Sequence, residues 1–78
     1  MRISVIIPTL NEANGIAQTL ERVRRAGECE LVVVDGGSDD GTPDIARLYA
    51  DTVLSSACGR ARQMNAGARA ATGEALLF

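Results

Sequence analysis

Seventy-eight residues, 46% hydrophobic and 23% charged, fit one small globular domain, and a net charge of −2 offers no basic stripe to a nucleic acid or an anionic membrane. All eight basic residues are arginine and there is no histidine, which excludes a P-loop or Schiff-base lysine, a Ser-His-Asp triad and an imidazole metal ligand. Tyr49 and Phe78 are the only large flat side chains, so Ala, Val, Leu and Ile must do the packing. Ile3 to Ile7 is apolar and β-branched except for Ser4, and reads as a buried strand stopped by Pro8. Pro8, Thr9, Leu10, Asn11 and Glu12 form the loop at its carboxyl end.

From Gly15 to Ala26, Ile16, Leu20 and Val23 recur at i, i+4 and i+7, the stripe of an amphipathic helix with Asn14 as N-cap and Gly27 just past its end. Glu21 and Arg25 make an i,i+4 pair on the outer face, where Arg22, Arg24 and Arg25 read as solvated surface. Leu31 to Val34 is four apolar residues without alternation, the pattern of a strand buried on both faces. Asp35, Gly36, Gly37, Ser38, Asp39, Asp40 and Gly41 follow as a turn of flexible backbone and acidic or hydroxyl groups. Thr42, Pro43 and Asp44 then start a second helix that should turn Ile45, Leu48 and Tyr49 inward.

Asp51 to Leu54 is a short strand candidate, and Ser55 or Ser56 could cap what comes next. Arg60 to Ala71 carries Ala61, Met64, Ala68 and Ala71 at helical spacing. Ala75 to Phe78 begins a fourth strand, whose open edge is a place where copies of the chain could associate. Cys29 and Cys58 match no metal or redox spacing and read as two small hydrophobes of a reducing, cytoplasmic protein. No segment approaches the roughly 20 apolar residues of a transmembrane span.

The alternation β-α-β-α-β-α-β with short connections implies an α/β fold with a parallel sheet and right-handed crossovers. In the doubly wound order 3-2-1-4, strands one and two are neighbours, and the loops Pro8 to Glu12 and Asp35 to Gly41 share one crevice. Carboxylates there suit ribose hydroxyls or base N–H groups, whereas Arg60 and Arg62 at a helix start suit phosphate oxygens. The GxGxxG fingerprint is missing after strand one, against a nicotinamide enzyme.

Three blocks, SVIIPTLNE, LVVVDGGSDDGT and GRARQMNAGARAATGE, resemble in order and spacing the opening of a family 2 glycosyltransferase, the nucleotide-sugar-binding GT-A type. The resemblance implies a Rossmann-like half of a GT-A fold that binds a nucleotide-diphosphate sugar. It places Pro8, Thr9, Asn11 and Glu12 on the nucleotide site, Asp35, Gly36, Ser38 and Asp39 under base and ribose, and Arg62, with Asn65 and Gly67, near the diphosphate. Gly36 stands where many members carry a second acidic residue that contacts the base, so the nucleotide is left open. In the complete enzyme Mg²⁺ or Mn²⁺ would offset charge on the leaving diphosphate and a carboxylate would activate the acceptor hydroxyl. The family's DxD metal motif and its catalytic carboxylate come later than Phe78, so residues 1–78 are expected to be one incomplete N-terminal nucleotide-sugar-binding segment with no catalytic or metal-ligating residue of its own. The alternative is a non-catalytic α/β module that binds a nucleotide or a partner.

Overall fold

The computed structural model describes residues 3–77, with side chains described through residue 74. The elements are β1 (Ile3–Thr9), α1 (Ile16–Ala26), β2 (Glu30–Asp35), α2 (Thr42–Ala46), β3 (Thr52–Ser55), α3 (Arg60–Ala70) and β4 (Glu74–Leu77). β2 lies parallel between β1 and β3, with Val5 opposite Leu31 and Val33 opposite Val53, and the β4 backbone lies parallel on the other side of β1. The fourth-strand expectation also covered Phe78, which lies outside the described residues.

Side chains alternate across a strand, and both sheet faces are covered. Val5, Ile7, Leu31 and Val33 point to one face, where they pack with Ile16 and Leu20 of α1 and Ala46 of α2. Ile6, Val32 and Val34 point to the other and meet Met64 of α3. Every residue of β2 is buried, which accounts for its unbroken apolar run.

β1 does not stop at Pro8: it continues to Thr9, with Pro8 opposite Val34. The Thr9 carbonyl accepts the Gly36 N–H, so Thr9 faces β2 and Pro8, one residue earlier, faces the β4 side, where the last pair among the described residues is Ile6 with Leu77. Its missing N–H therefore removes no bond from the β1–β2 ladder.

Helix starts differ from the sequence reading. The N-cap of α1 is Gly15 rather than Asn14, that of α2 is Gly41 and that of α3 is Gly59 rather than Ser55 or Ser56, and none has a side-chain cap bond. The Ser56 hydroxyl donates instead to the Ala57 carbonyl. Helix α2 ends at Ala46, so the i+3 stripe breaks and Leu48 is 78% exposed, while Ala46 takes the buried position. Ile45 and Tyr49 still pack at the edge of the core. Strand β3 runs one residue later than Asp51 to Leu54; Asp51 stands at its entry, where its N–H donates to the Leu31 carbonyl at 3.0 Å and its carboxylate accepts the Leu31 N–H at 2.8 Å.

Arg24 is exposed, as expected, but it is more than solvated surface. Its guanidinium donates to the carbonyls of Cys29 and Tyr49 at 2.7 and 3.1 Å and meets Asp51 at 3.3 Å, tying the end of α1 to the entries of β2 and β3. Cys29 is half-buried against the core, but Cys58 is exposed, so only one of the two serves as a small hydrophobe.

In α3 the buried positions are Gln63, Met64 and Gly67, whereas Ala61 and Ala68 are exposed. Gly67 sets this face. A Cβ there would lie 2.4 Å from Cγ2 of Ile6 and 3.1 Å from Cγ2 of Val34, so the helix backbone approaches the sheet more closely than any side chain would permit. At the opposite end of the sheet, buried Ser4 donates to Glu30, and the two side chains accept the N–H groups of Gly73 and Thr72. The α3–β4 loop is thereby held against the amino ends of β1 and β2.

Candidate functional site: the crevice at the carboxyl ends of β1 and β2

Thr9 and Asp35 are the last residues of adjacent strands and face each other in register. The Asp35 side chain, 2% exposed, is filled from within the protein. One oxygen accepts the hydroxyls of Thr9 and Ser38 at 2.8 and 2.6 Å, and the other accepts the N–H groups of Gly37 and Ser38 at 3.0 and 2.7 Å. A carboxylate offers about four acceptor positions, and all are used. Asp35 thus bends the chain immediately after β2 and locks it to the end of β1.

The two loops are then joined residue by residue. The Asn11 N–H donates to the Ser38 hydroxyl at 2.7 Å, and the Asn11 side-chain oxygen accepts the Asp39 N–H at 3.0 Å. The Glu12 N–H donates to the Thr42 hydroxyl at 2.9 Å, and the Ala13 N–H to Asp40 at 3.0 Å. Asn11 makes this possible with φ 52°, a left-handed conformation that asparagine tolerates better than most residues. Ser38 and Thr42 each use their hydroxyl twice, accepting from the first loop and donating to Asp35 and Asp40 respectively. Asp40 also accepts the Thr42 N–H at 3.1 Å and so serves the start of α2 from two residues upstream.

Burial pushes the Asp35 carboxyl up, but the hydrogen bonds from Ser38, Thr9 and Gly37 together outweigh it and hold the group below the usual Asp range. The Thr42 hydroxyl and then the Ala13 amide lower Asp40 as well. A carboxyl lowered in the folded state contributes stability that is fully present above its unfolded value and is lost as pH falls through the folded one. The melting temperature is therefore expected to drop as pH falls below about 4, the ordinary Asp value. A pH series of thermal melts checks this: Asp35→Asn should make the acid drop shallower, and an unchanged slope would remove Asp35 as its source.

A third element closes the crevice. Gln63, in the first turns of α3, is 5% exposed; its amide nitrogen donates to the carbonyls of Thr9 and Val34 at 3.0 and 2.9 Å, and its oxygen accepts the Gly59 N–H at 3.2 Å. The sequence reading passed over this residue. Its signal was a long polar side chain beside Met64 on the inward stripe, a place where a glutamine stays only if its amide is fully bonded. Pro8 and Ser38 are half-buried, Gly36 is buried, and Asn11, Glu12, Asp39 and Arg62 are exposed around the opening.

The arrangement defines a class: an α/β domain with helices on both faces of a parallel sheet and a hydrogen-bonded crevice at the strands' carboxyl ends, the place where such sheets bind ligands. Residues 4–78 match the glycosyl transferase family 2, and the chain belongs to that family. It is 42% identical, over 96% of its length, to a PGL/p-HBAD biosynthesis glycosyltransferase of Mycobacterium bovis, of which it covers 33%. It is 37% identical over 74% of its length to glycosyltransferase AglJ of Haloferax volcanii, covering 20% of that protein. The chain thus spans about a third of the length of the mycobacterial relative. No solved structure matches it. Among the described residues no helix is long and apolar enough to cross a membrane.

Proposed function

We propose that the crevice binds the nucleoside diphosphate part of a nucleotide-sugar donor, as the donor-binding portion of an enzyme that transfers the sugar to an acceptor hydroxyl. The observation that carries the reading is the joining of the Thr9–Ala13 and Asp35–Thr42 loops by direct hydrogen bonds at the carboxyl ends of two parallel strands. Family membership supports it. So does the pairing of β1 with both β2 and the β4 backbone, which suits the Rossmann-like half of a GT-A fold in strand order 3-2-1-4.

In this reading the residues divide by exposure. Asp35, Thr9 and Ser38 shape the floor, because their polar atoms are already engaged, while Pro8 and Gly36 supply close backbone. Asn11, Glu12 and Asp39 face the ribose and base from the rim, and Arg62 meets the diphosphate. Among the described residues no group of three His, Cys, Asp or Glu side chains could hold a metal ion. The described residues therefore supply no such cluster for the divalent cation that the family implies, and the reading assigns them binding and positioning only, without sugar transfer by this segment on its own.

Calorimetric titration with UDP and GDP, and with uridine and guanosine for comparison, is the test. At least one diphosphate is expected to bind, and Arg62→Ala should weaken it about tenfold, the value of one charge-assisted hydrogen bond, while leaving the nucleoside unchanged. If neither diphosphate binds the wild-type protein, the reading is wrong.

A further inference from the structure

Gly36 and Gln63 lie 27 positions apart and occupy one space. An alanine Cβ built at Gly36 would stand 3.0 Å from Cδ, 3.0 Å from Oε1 and 3.1 Å from Nε2 of Gln63, so the amide lies flat on the bare face of the glycine. The amide cannot easily move aside, because its two polar atoms hold three backbone groups: the carbonyls of Thr9 and Val34 and the N–H of Gly59. Gly36 is not among the residues with positive φ, so its backbone conformation accepts alanine and the nearest obstacle is the amide.

The three groups belong to three elements. Thr9 ends β1, Val34 is the next-to-last residue of β2, and Gly59 is the N-cap of α3. A single side chain therefore fixes the start of α3, with Arg60 and Arg62, against the floor built by Thr9 and Asp35. Bonding of the N-cap N–H by a glutamine of the first turns resembles the returning half of a capping box, one residue later than usual. No side-chain cap bond holds this end of the helix otherwise.

We propose that Gln63, seated on Gly36, is the positioning residue of the crevice: it sets the height of the α3 N-terminus above the Asp35 turn, and with it the strength with which the phosphates of a nucleotide are held relative to its nucleoside. The ligand half of this statement rests on the nucleotide reading given above; the clamp itself does not. Residue 36 acts on the same coordinate, since any side chain there lifts the amide from its partners. Gly36→Ala is accordingly the gentler variant. It displaces the amide without deleting it, and it carries the test should Gln63→Ala fail to fold.

Wild type, Gly36→Ala, Gln63→Ala and the double variant would be melted and titrated with UDP, GDP, uridine and guanosine. Each single variant is expected to weaken the bound diphosphate about tenfold, the cost of misplacing one charge-assisted contact, and in Gln63→Ala, which adds no atom to the crevice, nucleoside affinity changes less than about twofold. The double variant should melt higher than the sum of the two losses predicts, because the alanine Cβ then enters space the amide has left. A diphosphate affinity equal to wild type in both Gly36→Ala and Gln63→Ala, or in Gly36→Ala alone where Gln63→Ala does not fold, would reduce Gln63 to a purely structural role and overturn the proposal. Strictly additive losses in melting temperature would overturn the clamp. If wild type binds no nucleotide, the functional reading falls by itself, and non-additive melting would still support the clamp.

Discussion

Asp35→Ala is expected to lower the unfolding free energy by about 2–4 kcal/mol, the cost of stranding backbone donors together with the loss of the bonds themselves. Four donors converge on this carboxylate, and they differ in what they can do without it. The hydroxyls of Thr9 and Ser38 can rotate to other acceptors. The N–H groups of Gly37 and Ser38 cannot, since the backbone turn aims them at the vacated space. A chain of this size has a total stability of only about 4–12 kcal/mol at the usual value per residue, so the loss is a large part of the whole.

Asp35→Asn is the informative companion. Its oxygen can face the two N–H groups while its NH₂ faces the hydroxyls, which turn to accept. It should therefore cost less than half as much as alanine. Urea denaturation with an unchanged slope measures both. An alanine variant within about 0.5 kcal/mol of wild type, the range of ordinary surface changes, would show that the turn holds without its carboxylate.

Gly67→Ala should destabilise the protein by about 1–3 kcal/mol, the usual cost of overpacking a close-fitting core. The sign is the point of interest. In an exposed helix interior the same change stabilises by up to about 1 kcal/mol, since glycine is a poor helix former. Here the new methyl would stand 2.4 Å from Cγ2 and 3.2 Å from Cγ1 of Ile6, and 3.1 Å from Cγ2 of Val34. Ile6 and Val34 are both fully buried, and a close-packed interior gives such side chains little room to retreat. Helix α3 must lift instead, and it takes Met64 and the Gln63 amide with it. A urea midpoint equal to or above that of wild type would mean that α3 does not sit this close to β1.

Much of this molecule could be read from local pattern. The unbroken run Leu31 to Val34 announced a strand covered on both faces, and the spacing of Ile16, Leu20 and Val23 announced the helix that covers one of them. The turn after Asp35 was legible from its glycines and its short polar side chains. Boundaries were less so. Pro8 reads as the end of a strand because its missing donor is a local fact, whereas the neighbour that would use the donor is not. Leu48 points inward only if the helical period extends beyond Ala46, where the helix ends.

The sequence by itself determined the alternation of strands and helices, the apolar faces and the chemical character of the crevice, because hydrophobic period, β-branching and turn preference act over a few neighbouring residues. Only the tertiary structure decided what those groups do. Asp35 reads from the chain as an acceptor waiting for a ligand, but Thr9, 26 residues away, and its own turn saturate it. Gln63 reads as one more polar residue on a helix, but its partner Thr9 lies 54 residues distant. Arg24 reads as surface until the carbonyls of Cys29 and Tyr49 come to it. In each case a polar group's role depends on which donors and acceptors the packed sheet brings within about 3 Å, and hydrogen bonds over that range leave no periodic trace in the chain.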